Sequence, residues 1–582
     1  MYSSALANMV THDSPDPSPK KNFWEILGYS VFSLDHKVIG LNYLWLALGS
    51  VFVGMGLSLL MRIHLVWPGV HIPFVFGIPS TPAGYTALTL LHGSLMIFMV
   101  LTTAPQAGFG NYFLPLQIGA RDMAFPALNG FSLWMTVASL LGSTLSFFAP
   151  FEFGLTLWVA SVALFCVASV CTAINFSVTT IDLRAKGMTL PRMPLTAWAW
   201  LLTAILSSLI FSILLAACAL LLTDRMIGTQ FFGRPQLSTS ALPFAAGQGV
   251  PFLWQRLFWF FAQAEVYVAM LPCFGIVSHL IATFALKPVW ALRAVVLALC
   301  GVGLFGFCIW GFHVFQSGMN PYAPPVFAIV AESLGLPALI LLVSWLGTLW
   351  NGRIQLTTAM LFAIGFVSLF ISGGLSGLFL ARHDLAEAAV NDEFIAGHFH
   401  LVMGVAATFA ILGALFFWFP KMFGRRLNET LGKAHFWVTF AGVYCVFMPM
   451  HWMGLLARAR AVLGSSLAPA MAGAIMQKFI TVITIATISA QVIFLFNFVW
   501  SLWRGETIDN VNPWRATTLE WSVASPPPPD NFGRFEPVVY RGAYEFLSPD
   551  RGEDFLPQNL APEGVSLSEQ ASFELTDREG KH

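Results

Sequence analysis

The chain has 582 residues, of which 57% are hydrophobic and only 10% are charged, and its formal net charge is zero. A mean hydropathy of +0.72 and repeated apolar runs of about 20 residues exclude a soluble multidomain protein and indicate a polytopic membrane protein. The zero net charge provides no basic surface for nucleic acid. We predict an all-α fold of about 12 transmembrane helices.

The length of the apolar runs and their lack of charge define the predicted elements in chain order. Residues 1–31 are polar and are expected to form a disordered cytoplasmic tail, 32–505 the membrane domain, and 506–582 a polar cytoplasmic tail. The run Pro526 to Pro529 favours an extended arm in the last of these regions. The spans are expected at about 38–62, 84–108, 127–150, 154–178, 196–223, 252–284, 290–315, 325–350, 355–381, 394–419, 434–457 and 477–503.

Basic residues are unevenly distributed between the two sets of predicted loops. An even number of spans places both termini on one side of the membrane. The loops on that side, which include Arg121, Lys287 and Arg425, carry more Lys and Arg than the opposite loops. The positive-inside rule therefore predicts that both termini are cytoplasmic.

The seven cysteines all fall in apolar runs. None belongs to a C-x-x-C-H motif, which excludes covalent c-type haem, and none has the spacing of a zinc or iron–sulfur site. A metal site in this chain must therefore be built from histidine.

Four of the 13 histidines fall deep in predicted spans: His92, His313, His398 and His400. His398 and His400 are two positions apart, so on an α-helix their side chains point about 200° apart. A lone buried histidine often only hydrogen-bonds its neighbours, but two in hydrocarbon without a function are costly. Because imidazole suits iron, we expect this helix to stand between two haems.

Two facing helices must supply the two axial ligands of a low-spin haem. His92 and His400 can do so, and His398 can supply one ligand to a second haem whose other side stays open. The spacing alone does not determine which histidine pairs with which.

Short motifs along the spans match one known pattern. They are Asp35-His36-Lys37-Val38-Ile39-Gly40, His92-Gly93-Ser94, Gly110-Asn111-Tyr112-Phe113, Gly119 to Pro126, Glu265-Val266-Tyr267, His398-Phe399-His400 and Trp418 to Met422. With these motifs the chain resembles subunit I of the haem–copper oxidase superfamily, the aa3-like cytochrome c oxidases, over about residues 32 to 535.

The resemblance implies a terminal oxidase subunit in a respiratory chain. Electrons would pass from a low-spin haem, held by His92 and His400, to a high-spin haem, held by His398, where oxygen is bound and reduced. Asp122 would be the mouth of a proton path and Glu265 its inner relay.

The resemblance also extends to the propionate groups of the haems. Arg460 corresponds to one of a pair of arginines that bind them in the family. The partner position is Ala461, and Arg458 can take over its role, because a guanidinium binds a carboxylate from either position.

The chain departs from the family at the copper that lies beside the high-spin haem. The three histidines that hold this copper correspond to Gln263, Phe312 and His313. With one imidazole left, copper is not expected. Tyr267 lies four residues after Gln263 on one helical face. It can donate a proton or hydrogen bond, but glutamine cannot form the family's His–Tyr link with it.

A second departure concerns the other proton path of the family. Its lysine corresponds to Leu341, so that path is expected to be lost. We take Tyr267, Glu265 and Gln263 as the candidate catalytic residues.

Two alternatives to a terminal oxidase remain open on the sequence. One is a diverged, copper-free haem protein that acts on nitric oxide or another small molecule. The other is a non-catalytic transmembrane electron carrier or gas sensor.

The resemblance implies further partners and a location. Subunits similar to oxidase subunits II and III, and cytochrome c or another electron donor, are the expected partners, and a bacterial plasma membrane is the expected location. The haem type (A, B or O) does not follow from the ligands.

Overall fold

The computed structural model describes residues 31–70, 82–232, 251–311, 323–381, 393–463, 470–533, 536–548 and 553–562. Twelve helices in these residues are long and apolar enough to cross a membrane, which confirms the predicted all-α, twelve-span fold. They are α1 His36–Val66, α2 Gly84–Ile118, α3 Pro126–Phe148, α4 Glu152–Asp182, α5 Leu195–Met226, α6 Leu253–Ala285, α7 Leu292–Gly311, α8 Pro325–Leu349, α9 Thr358–Leu380, α10 Glu393–Phe423, α11 Glu429–Leu456 and α12 Gly473–Arg504.

The helices differ in how deeply they are buried. The most apolar stretch of α6 is 100% buried and that of α10 is 83% buried, whereas the figures for α8 and α1 are 11% and 22%. The two central helices are thus α6, which carries Gln263, Glu265 and Tyr267, and α10, which carries His398 and His400. Side chains on either helix reach the interior of the bundle and not lipid.

Two of the spans contain π-helical turns, which are rare and concentrate at functional sites. In α2 the wide turns cover Leu95–Gly110 and in α10 they cover His400–Gly404. Thr102 and Thr103 donate from their hydroxyls to the carbonyls of Ile97 and Phe98, five residues back, at 2.8 and 2.7 Å. These side-chain bonds give additional partners to the carbonyls of the widened turns.

The caps of the helices explain several of their bounds. Asp35 accepts a hydrogen bond from the Lys37 amide at 2.8 Å and starts α1. Gly119 ends α2 in the left-handed region, with φ of +82°. Helices α2 and α12 terminate at the same side of the bundle, and we call this side the C-terminal face.

The chain beyond Arg504 differs from the extended arm that its polar composition predicts. Its described residues pack on the C-terminal face, where Trp521 and Tyr544 are almost fully buried. The Glu520 carboxylate accepts a hydrogen bond from Gln117 of α2 at 3.0 Å. Burial raises the pKa of this carboxyl. Aromatic residues, which are scattered among polar ones in the sequence, pack against the bundle and hold this region in place.

The remaining regular structure is short. A 3₁₀ turn covers Leu190–Arg192 and another covers Leu519–Ser522. Strands β1 Phe546–Ser548 and β2 Glu553–Phe555 pair antiparallel, with Phe546 opposite Phe555.

Candidate haem centre and proton path

Three imidazoles in the interior share one hydrogen-bonding pattern. Nδ1 of His92 lies 2.8 Å from the Gly54 carbonyl, Nδ1 of His400 lies 2.7 Å from that of Ala396, and Nδ1 of His398 lies 3.0 Å from that of Gly373. A carbonyl oxygen can only accept, so each Nδ1 carries the proton and each Nε2 keeps a lone pair. This is the tautomer and orientation of a metal-binding histidine.

The rings of His398 and His400 contact different neighbours. His400 stacks on Phe447 of α11, with ring centroids 4.7 Å apart and planes 11° apart. His398 faces α9, where a side chain at Gly377 would approach its Cε1 to 3.0 Å. The two rings are therefore fixed on different sides of α10.

An almost wholly apolar cavity adjoins the helices that carry His92 and His400. Its walls come from α1, α2, α10 and α12, and only Thr408 and Gln491 contribute polar side chains. Val100 and Ala104 follow His92 along α2, and Ile411 follows His400 along α10. Neither His92 nor His400 lines this cavity of about 90 Å³, so it marks an apolar space along the same helices and not the volume of a porphyrin.

A serine and a further histidine extend the environment of His398. Ser376 Oγ lies 3.0 Å from His398 Nδ1 and 3.2 Å from His451 Nε2. His451 in turn donates from Nδ1 to the Phe447 carbonyl at 2.8 Å. Sequence reasoning missed Ser376, although its place between Gly373 and Gly377 in an apolar span is a weak signal of close helix contact.

The α6 positions that correspond to the family's copper site and its linked tyrosine carry an amide and a phenol. Gln263 donates from Nε2 to the Tyr267 hydroxyl at 3.4 Å, a long hydrogen bond along one helical face. Tyr267 packs against Gly306 of α7, where any side chain would clash with its ring. Neither group is the imidazole or thiolate that copper requires.

Four residues of the predicted haem and copper sites are not described in full. His313 falls outside the described residues, as does Phe312. Arg458 and Arg460 belong to the helix Glu429–Leu463, but their side chains are not described. Within the described parts of the chain, no cluster of three or more His, Cys, Asp or Glu side chains is arranged to hold a metal ion.

Glu265 is a buried carboxyl, 3% exposed, at the centre of α6. Its Oε1 and the Thr102 hydroxyl oxygen are joined by a short hydrogen bond, and its Oε2 has no partner in the described part of the chain. Thr102 also lines a small polar cavity of about 30 Å³ together with Tyr43, Gln106 and residues of α3, α4 and α5. That volume has room for about two water molecules.

Asp122 lies at the C-terminal face, between α2 and α3. Burial raises the pKa of its carboxyl above the ordinary value, although the Met123 amide, which donates to Oδ1 at 2.7 Å, opposes the rise. Deeper in the bundle, the side-chain amide of Asn129 is fully buried, with neither polar atom hydrogen-bonded to another described residue. Tyr43 hydrogen-bonds Ser132 at 3.0 Å and also lines the polar cavity beside Thr102.

Comparison with known proteins identifies the family. The family described as cytochrome c and quinol oxidase polypeptide I matches residues 38–492, most of the chain. The chain belongs to this family. The resemblance seen in the motifs is thereby confirmed, and the protein is an oxidoreductase of the terminal oxidase type, a multi-pass membrane protein of the respiratory chain. Membership implies haems and does not favour the carrier, sensor or nitric oxide alternatives.

Individual relatives agree with this assignment. The chain is 40% identical to the alternative cytochrome c oxidase subunit 1 of Bradyrhizobium diazoefficiens, over 91% of this chain and 93% of the relative. It is 37% identical to cytochrome c oxidase subunit 1 of a Synechocystis species, over 89% and 92%.

A solved structure supports the fold. One chain of a heme–copper terminal oxidase dimer, determined by cryo-electron microscopy, superimposes with a TM-score of 0.64 at 16% sequence identity, covering 81% of this chain and 85% of that one.

Proposed function

We propose that this oxidase subunit holds two haems on opposite sides of α10, a low-spin haem between His92 and His400 and a high-spin haem on His398, and that oxygen is reduced at the second. One observation supports the proposal: these three imidazoles each donate Nδ1–H to a backbone carbonyl, while Nε2 of each has no hydrogen-bond partner among the described residues and keeps its lone pair for iron.

A haem iron supplies reversible one-electron chemistry, and one with a single protein ligand binds diatomic gases. The protein's contribution is to fix the imidazoles. The Gly54, Ala396 and Gly373 carbonyls set the ring tautomers, and the stack on Phe447 prevents rotation of the His400 ring. A side chain at Gly54 would displace the end of the Met96 side chain.

The proton path that we propose runs from Asp122 to Glu265. The raised pKa of Asp122 lets it hold a proton at the C-terminal face at a higher pH than an ordinary aspartate. The buried amide of Asn129 and the polar cavity beside Thr102 provide sites at which water can bridge the gap. Glu265, with one oxygen held by Thr102 and the other free, can take a proton from this side and release it inward.

Copper does not fit the residues at the second haem. Gln263 and Phe312 offer no imidazole, so His313 is left alone, and one imidazole does not hold copper tightly. We propose that Gln263 and Tyr267 act as hydrogen-bond donors to the bound gas, with the Tyr267 hydroxyl as a proton source. The missing lysine at Leu341 makes the Asp122 path the one that supplies protons.

The proposed complex includes partner subunits similar to oxidase subunits II and III. Electrons from cytochrome c or another donor would reach this chain through such a partner subunit. The excess of basic residues in the loops of the C-terminal face supports a cytoplasmic location for both termini in a bacterial plasma membrane.

Metal analysis of the purified complex tests the proposal. The partner subunits are identified first, so that the copper they bind is counted separately. We expect two irons per chain, no further copper, and oxygen consumption. One additional copper per two irons would contradict the copper-free pocket. Carbon monoxide binding without oxygen or nitric oxide turnover would contradict an enzymatic role.

A further inference from the structure

An open cavity of about 580 Å³ lies on the C-terminal face, where α9 and α11 begin and α12 ends. Three cationic side chains line it: Arg426, Lys433 and Arg504. Lys433 and Arg504 make no ion pair with any described carboxylate, and Arg426 lies over the ring of Trp514, 5.3 Å from its centroid. The proposed oxidase activity uses none of these groups.

Two carboxylates also line the cavity against three cationic side chains, which leaves a formal net charge of +1. Glu429 is held by α9, because its Oε2 accepts from the Thr358 amide at 2.8 Å and from the Thr358 hydroxyl at 2.7 Å. Glu506 is exposed to solvent. The N-termini of α9 and α11 add their partial positive charge to the same space. The cavity therefore favours an anion.

The cavity continues into an apolar surface at membrane depth. Trp500 lines the cavity one helical turn before Arg504. Along the same face of α12, Phe496 and Val492 are 54% and 63% exposed, and the Phe496 and Trp500 rings stack 5.8 Å apart. An aromatic ring at the end of a span next to basic groups is typical of the membrane–water interface.

We propose that this cavity binds the phosphodiester headgroup of an anionic phospholipid, whose acyl chains lie along the α12 strip of Val492, Phe496 and Trp500. Cations at the end of the span match the phosphate, and the apolar strip matches the chains. Free phosphate would use the same cations but not the strip. The volume of the cavity also suits a headgroup, since sites for small ligands occupy about 300–1,000 Å³.

The experiment measures lipid binding to the delipidated, purified complex by native mass spectrometry, with dioleoyl phosphatidylglycerol, dioleoyl phosphatidylcholine or inorganic phosphate added. We expect the phosphatidylglycerol to bind at least tenfold more tightly than the phosphatidylcholine. Each basic residue near a membrane surface contributes about fivefold, so the double variant Lys433→Gln/Arg504→Gln should bind the anionic lipid about 25-fold more weakly.

The matched control is Arg293→Gln, which removes an exposed charge from the start of α7 on the same face but away from the cavity. It should leave binding unchanged. Equal affinities of the wild type and the double variant for the anionic lipid would overturn the proposal. Binding of inorganic phosphate as tight as binding of the anionic lipid would overturn it as well. Unchanged haem spectra in all variants separate a failure of this site from a failure of the oxidase assignment.

Discussion

The two sides of α10 differ in how much of the haem–copper pattern they keep. On the side of His400 both proposed ligands are histidines, His92 on α2 and His400 on α10, and the Nδ1 of each ring is held by a backbone carbonyl. On the side of His398 one imidazole is kept, while the copper positions on α6 and after α7 carry Gln263 and Phe312. Under the proposed assignment, the side that would pass electrons keeps both imidazoles, whereas the side that would bind oxygen carries other hydrogen-bonding groups in place of imidazoles.

Among the substitutions that test the difference between the two sides of α10, removal of the His400 ring should have the largest effect on haem content and activity. His400→Ala deletes one of the two ligands of the low-spin haem, so we expect loss of about half of the haem and of all oxygen consumption driven by the electron donor. A pyridine haemochrome assay measures the haem per chain. His64→Ala, near the C-terminal end of α1, is the control and should retain both haems. A full haem complement in His400→Ala would contradict the assignment.

Removal of the His398 ring should affect the other side alone. With His398→Ala we expect the low-spin absorbance to persist while carbon monoxide binding falls at least tenfold, because the open iron loses its protein ligand. A carbon monoxide difference spectrum measures this. If the low-spin band disappears and carbon monoxide still binds, the two sides have been assigned the wrong way round.

Neutralisation of Glu265 separates proton delivery from haem binding. Glu265→Gln keeps the hydrogen bond partner of Thr102 but cannot exchange a proton, so oxygen consumption should fall about 100-fold with both haems in place. The control Thr102→Val removes the hydrogen bond and keeps the acid, and it should retain most of the activity. Wild-type turnover in Glu265→Gln would exclude a relay role.

Asp122 should have a smaller effect, because solvent can partly replace a surface donor. We expect Asp122→Asn to lower turnover about tenfold. The raised pKa means that the wild-type carboxyl keeps its proton as the pH rises above the ordinary range of aspartate and loses it only at the raised value. The difference between wild type and variant should therefore change with pH in that window. Asp509→Asn, exposed on the same face, should show no such change.

The smallest predicted effect concerns Ser376, which contacts His398 and His451. Ser376→Ala leaves the Gly373 carbonyl as the partner of Nδ1, so the haem should stay bound. The loss of one hydrogen bond, worth about 1 kcal/mol, should shift the reduction potential of the second haem by roughly 40 mV. Redox titration measures it. An unchanged potential would show that Ser376 does not position His398.

The spans could be predicted from the sequence, because the length and low charge of an apolar run are direct physical signatures of a membrane helix. The beginning of α11 at Glu429, five residues before the predicted start, depends on the Asn428 cap, whose oxygen accepts from the Leu431 amide. Ser376, His451 and Asn129 could not be assigned, because a single small polar residue in an apolar span carries no linear signal. The packing of the chain after Arg504 depends on contacts with helices that are distant in sequence, among them α1, α2, α5, α6 and α10.

Carbon monoxide titration of the fully reduced complex, with the haem content measured on the same sample, tests the central claim most directly. If His92 and His400 close one iron and His398 leaves the other open, one carbon monoxide binds for every two haems of this chain. A stoichiometry of zero or of two per pair of haems would contradict the arrangement on the two sides of α10.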